Sequence, residues 1–295
     1  MNVSGRTLEA FRRSSSAISL VIALSLFVMT LSTGYHIFAS KSSEFLERPD
    51  VQKYENAIET VSQMDEWTLT KFYWSNNLRI VGFYIVGIPS YFGFHSLMFN
   101  EYAIGMNLSY WYHAYGAEVF LIFLSGLFLH GVLELTGIFI VVAITLRVAW
   151  NFWKGMGHMM TPARKGKRWS RGLSKSEKRK IRKYEGKVKE LLVDFLVLAS
   201  FGAFLIFLAA PIEAYISPSF MAAFIGVLPL AITFLVIIAS FYLFIFVWGL
   251  GAIKRDIRAV CCDVKFAFKR KWRPTQLSLL IFVIFFSIMV FSLLV

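Results

Sequence analysis

Uncharged apolar stretches of about twenty residues, the length a helix needs to cross the hydrocarbon of a bilayer, recur from one end of this chain to the other. That pattern decides the solvent before anything else. Inside lipid a backbone N–H or C=O has no water to pair with, so each stretch must satisfy its own hydrogen bonds as a helix. The expected fold class is all-α, a polytopic transmembrane helical bundle of about six to seven membrane segments. Composition agrees, since 57% of the 295 residues are hydrophobic and 17% are charged.

Charge then orients the spans. The net charge of +13 is concentrated in two segments that flank apolar blocks, which places those segments in the cytoplasm of a cell membrane protein. No nucleic-acid motif accompanies it, so nucleic acid is not an expected partner. Residues 1–14, with Arg6, Arg12 and Arg13, form a cytoplasmic N-terminus. The run at 15–38 is too long for the hydrophobic part of a cleaved signal and is the first span.

Residues 39–75 are acidic and suit the outside. Pro49 fits a first helical turn, and Val51, Tyr54, Ile58, Val61 and Met64 recur at helical spacing, so an amphipathic helix lying on the outer surface is expected. Residues 76–153 hold further membrane segments. A second span covers about 77–98, with Gly82, Gly87, Pro89 and Gly93, and a mixed aromatic piece at 99–115 reads as interfacial or re-entrant. The run at 116–153 would reach roughly 55 Å as one straight helix, against a hydrocarbon core of about 30 Å. Low helix propensity near His130, Gly131 and Gly137 points to a broken helix or hairpin near residue 131. On such a hairpin Glu118 and Arg147 both come to the cytoplasmic face, where they can pair.

Residues 154–190 form a cytoplasmic basic loop, and 191–251 supply two transmembrane helices joined by an external turn at Glu213 between Pro211 and Pro218. A basic amphipathic helix follows at 252–274. Its Lys254, Arg255, Arg258, Lys269, Arg270 and Lys271 suit the anionic head groups of the inner leaflet. A last transmembrane helix occupies 275–295. Cys261 and Cys262 are adjacent, which excludes a disulfide framework. Small residues in the spans, Ser200, Ala203 and Ala210 among them, allow tight helix contacts within one chain or across a homodimer.

Ionisable groups at membrane depth are expensive, so His130, Glu134 and Glu213 are the candidate intramembrane polar site, with Gly131 beside them. His130 and Glu134 stand four apart and share one helix face. With Glu213 they can bind a cation or relay protons; no particular metal is indicated, and no organic cofactor is expected. The bland alternative is that the first two cap broken helix ends while Glu213 faces water. No second histidine completes a zinc-protease pattern, and neither a phosphate loop nor a nucleophile motif occurs, so an enzyme is not expected. Asn76, Asn77, Asn100 and Glu101 read as helix-end capping groups.

These same residues carry a resemblance. Asn76-Asn77 at the entry to the second span, Asn100 to Gly105 after it, His130-Gly131-Val132-Leu133-Glu134 in an apolar helix, and the run from Ala209 through Pro211, Ile212, Glu213, Ala214 and Tyr215 to Pro218 together resemble the stage II sporulation protein M family over roughly residues 15–248. Leu129 stands where that family usually has proline. The resemblance implies an integral membrane protein and, in spore formers, a scaffold that holds cell-wall hydrolases. Two readings follow: a non-enzymatic membrane scaffold or complex component, and a channel or transporter whose polar site is His130, Glu134 and Glu213.

Overall fold

The computed structural model describes residues 3–88, 92–164, 175–225 and 227–247. The expected basic helix at 252–274, with Lys254 to Lys271, and the last span at 275–295 lie outside the described residues. Within them the fold is all-α, in the order α1 (Val3–Ala39), α2 (Ser42–Leu46), α3 (Pro49–Ser62), α4 (Glu66–Val86), α5 (Phe92–Arg164), α6 (Lys175–Pro211), a π-helical turn (Ile212–Ile216) and α7 (Ser217–Phe224), followed by α8 (Leu228–Val247). Four stretches among the described residues are long and apolar enough to cross a membrane: Gly5–Ala39, Phe92–Phe152, Gly186–Ala223 and Leu228–Val247. Large apolar side chains such as Leu196, Phe204, Ile237 and Phe244 face outward, the inverse of a water-soluble surface.

The chain reverses at Gly116 and not near residue 131. Gly116 has φ 85° and ψ 177°, the one non-helical position inside α5. This is backbone that only glycine enters without strain. Trp111 stacks on Phe123 with ring centroids 4.2 Å apart and Tyr112 meets Phe120 edge-on, although in a straight helix twelve residues would separate the first pair by about 18 Å. The stretch at 92–115 is thus a helical arm folded against 117–164, and the latter runs through His130, Gly131 and Gly137 without a break. The length argument failed because a helix can extend past the hydrocarbon instead of breaking within it.

Gly137 has a different use. A Cβ there would lie 2.5 Å from the Gly202 carbonyl oxygen, and one on Gly202 would lie 2.7 Å from that of Gly137. The two glycines are the crossing point of α5 and α6, where absent side chains let backbones touch. On the opposite side, Gly105 brings the first arm of α5 against Ser32 and Met29 of α1, and Ser32 Oγ donates to the Tyr102 carbonyl at 2.8 Å. The shared core under these contacts includes Ile22, Tyr84, Phe139, Ile144, Leu198 and Ile206.

The second span of the sequence reading is two helices. Asp65 caps α4, accepting the amides of Trp67 and Thr68 at 3.1 and 3.0 Å, and α4 stops at Gly87 before α5 starts at Phe92. Asn76 and Asn77 therefore sit inside α4, Asn77 buried, and cap nothing. Asn100 and Glu101 likewise lie inside α5.

The two ends of the bundle are built differently. At one end α2 and α3 lie over the reversal, with Pro49 in the first turn of α3 and Phe45, Val51 and Tyr110 packed together. Arg48 binds Asp50 at 2.6 Å and holds that carboxyl below the usual carboxylate range. At the other end Asp194 of α6, 0% exposed, accepts from Arg13 at 2.6 Å and Arg147 at 2.8 Å, tying α1, α5 and α6. Arg147 does not pair with Glu118. Glu118 is exposed beside the reversal, 29 residues and about 44 Å of helix away.

Candidate functional site

The local sequence around the site is set by Pro211. Proline has no N–H to give to the carbonyl four residues earlier, and that carbonyl, of Phe207, instead accepts the indole N–H of Trp74 at 2.8 Å. Trp74 also stacks on the Phe207 ring at 4.6 Å and 3°, which fixes α4 against α6. Past the proline the helix widens into the π turn Ile212–Ile216, a device that re-aims side chains within a continuous helix. The expected external turn at Glu213 is therefore absent: the backbone passes from α6 through the π turn into α7, where Pro218 occupies the first turn.

Widening the helix at this point turns Glu213 toward α5. His130, Glu134 and Glu213 converge, each offering a ligand atom within 4.8 Å of the others. His130 Nε2 lies 3.6 Å from Glu213 Oε1. His130 is buried, and Glu134 and Glu213 are half-buried. Tyr73 of α4 sets its hydroxyl against the Glu213 carboxylate. Three elements, α4, α5 and the π turn, thus meet at the cluster. His130 stands 14 residues beyond Gly116 and 17 before Arg147, roughly 21 and 26 Å along the helix, so the cluster is close to midway between the ends. The sequence reading put it nearer the outer face because it put the reversal beside it.

Ser217 organises the histidine. Its backbone N–H and its hydroxyl both reach the Ile212 carbonyl, the hydroxyl at 3.3 Å, and its oxygen lies 3.0 Å from His130 Nδ1. A serine hydroxyl has one hydrogen. Given to Ile212, that hydrogen leaves His130 donating from Nδ1 with an Nε2 lone pair toward the carboxylates; given to Nδ1, it leaves the imidazole proton on Nε2. Ser217 and Tyr73 were not singled out from the sequence. Ser217 had a signal, since Glu213 and Ser217 repeat the four-residue spacing of His130 and Glu134. Tyr73 had none.

Glu101, read from the sequence as a cap, is 0% exposed, and neither of its carboxylate oxygens has a hydrogen-bond partner among the described residues. Its carboxyl is within electrostatic reach of Glu134. Of the other motif positions, Gly105 serves the α1 contact, Pro211 frees the Phe207 carbonyl, and Gly131 lies next to the cluster in sequence, buried, with Leu135 Cδ1 3.9 Å from where a Cβ would stand. Chemically, one imidazole and two carboxylates in a low-dielectric interior can bind a cation or exchange protons. Among the described residues the hydroxyls of Ser217 and Tyr73 are the polar groups that join them.

No curated protein and no solved structure matches the chain. The profile of one family does, stage II sporulation protein M, over residues 23–218. That stretch begins in α1, ends at Pro218 and takes in the whole cluster. With more than half of its length matched, the chain belongs to the stage II sporulation protein M family.

Proposed function

We propose that this membrane protein is a transport protein for a small cation, with His130, Glu134 and Glu213 as its intramembrane binding site. One observation carries the reading: side chains separated by 83 residues are brought together midway along the bundle, where an unneutralised carboxylate is costly. Among the described residues no lysine or arginine pairs with either glutamate. A cation supplies the missing charge. In this reading the role is not enzymatic.

Positive-inside counting orients the molecule with the Arg13–Asp194 end and the basic segment after α5 in the cytoplasm, and with α2 and α3 outside. The multi-pass chain then lies in the cell membrane with its N-terminus inward, its basic residues against anionic lipid. The test is flux. Purified protein in sealed liposomes should carry a cation or protons down an imposed gradient, and Glu134→Gln should abolish this while elution and tryptophan fluorescence stay unchanged. Equal flux in both proteins would remove the cluster from the path.

A scaffold role has a separate observation behind it. The α2–α3 cap packs Val51 and Tyr54 inward and leaves Gln52, Lys53, Glu55 and Asn56 exposed, a polar face free for a partner domain or a second copy of the chain. If Glu134→Gln is inert and substitutions on that face dissociate a complex, the scaffold reading replaces the transport reading.

A further inference from the structure

We infer that the cation is a divalent first-row transition metal ion such as Zn²⁺, held by His130 Nε2 and one oxygen each of Glu134 and Glu213. The inference rests on the cation-site reading above and narrows it by donor chemistry and spacing.

Donor type comes first. Calcium, magnesium and the alkali ions take oxygen ligands, whereas an imidazole nitrogen beside carboxylates suits zinc, iron or manganese. Spacing comes second. At 3.6 Å, His130 Nε2 and Glu213 Oε1 are too far apart for a hydrogen bond. Two ligands on a tetrahedral ion with bonds of about 2.1 Å stand about 3.4 Å apart, so the observed separation is close to that of ligands on one metal. The wider limit of 4.8 Å across the three ligand atoms closes by rotation of a half-buried carboxylate.

The hold on the imidazole comes third. Ser217 Oγ lies 3.0 Å from His130 Nδ1, and Ser217 is itself fixed on Ile212 through its backbone N–H and its hydroxyl. Metal-bound histidines have their second nitrogen held in this way, so that the other presents its lone pair. Charge balance agrees, because two carboxylates and a neutral imidazole are neutralised by one divalent ion. Three protein ligands leave a fourth position open, as an ion that must leave again requires.

The test uses full-length protein without a histidine tag, in lipid nanodiscs, dialysed against ZnCl₂ or MnCl₂ with CaCl₂ and KCl as competitors, with bound metal counted by mass spectrometry. One zinc per chain is expected, unaffected by excess calcium or potassium and lost in Glu134→Gln and Glu213→Gln. Ser217→Ala, which touches no metal, should weaken binding about 10- to 100-fold and leave the melting temperature near that of the parent. Zinc that survives all three substitutions sits elsewhere, and the inference falls. Absence of zinc binding, with cation or proton flux that Glu134→Gln still abolishes, overturns the metal assignment and leaves the transport reading standing. Absence of both removes both.

Discussion

Three glycines of α5 should respond to alanine in three different ways, because the structure gives each a different surrounding. At Gly116 an added Cβ meets nothing within 4 Å. The whole cost is the backbone at φ 85°, about 1–3 kcal/mol for a residue other than glycine. At Gly131 the nearest atom is Leu135 Cδ1 at 3.9 Å, an ordinary contact, and the position is helical. Alanine there should stabilise by about 0.5–1 kcal/mol. At Gly137 the new Cβ would lie 2.5 Å from the Gly202 oxygen and 2.7 Å from Ile206 Cγ1. Two helix backbones must separate to admit it, at a cost of about 1–3 kcal/mol. Unfolding in mixed micelles of rising SDS fraction, followed by tryptophan fluorescence, orders the variants. The expected order is Gly131→Ala above the parent, with Gly116→Ala and Gly137→Ala below it. Loss at Gly131 equal to that at Gly116 would move the reversal back to residue 131 and refute the fold described. Gly137→Ala with Gly202→Ala should cost less than their sum, since both open the same contact.

Other expectations follow from single contacts. Asp194→Asn leaves Arg13 and Arg147 facing a neutral group and should cost about 3–5 kcal/mol in the same titration, whereas Glu190→Gln, on the exposed rim of the network, should cost almost nothing. Trp74→Phe keeps the ring stack on Phe207 but removes the N–H bound to its carbonyl, for a loss of about 0.5–1.5 kcal/mol. The Asp50 carboxyl is held low by Arg48, so its contribution is complete above the unfolded value of about 3.9 and is lost as pH falls through the folded value. Hydrogen exchange in α2 and α3, corrected for intrinsic rate, should therefore rise below about pH 4 in the parent and show no such step in Asp50→Asn.

Much of the membrane architecture is written in the apolar blocks, because lipid leaves helices as the only answer to unpaired backbone groups. Glycine is harder to read. Gly116, Gly131 and Gly137 look alike in an apolar run, yet one turns the chain, one does nothing visible, and one is a crossing point. The difference lies in φ at the first and in Gly202, 65 residues away, at the last. His130 and Glu134 share a face by helical period alone, so half of the site was legible. That Glu213 joins them depends on Pro211 and the π turn, which aim it inward. Asp194 goes unread and Glu101 reads as a cap because a lone acid in an apolar stretch does not reveal its surroundings: the first is paired with two arginines that are distant in sequence, the second with nothing among the described residues.

The most direct test of the central claim is the zinc K-edge absorption spectrum of the protein in nanodiscs, loaded with one equivalent of ZnCl₂. A metal at the cluster gives nitrogen and oxygen neighbours at about 2.0–2.2 Å, multiple scattering from a single imidazole, and loss of that signature in Glu134→Gln. A spectrum with sulfur neighbours at about 2.3 Å would place the ion at Cys261 and Cys262. That spectrum, or one unchanged by Glu134→Gln, would contradict the account.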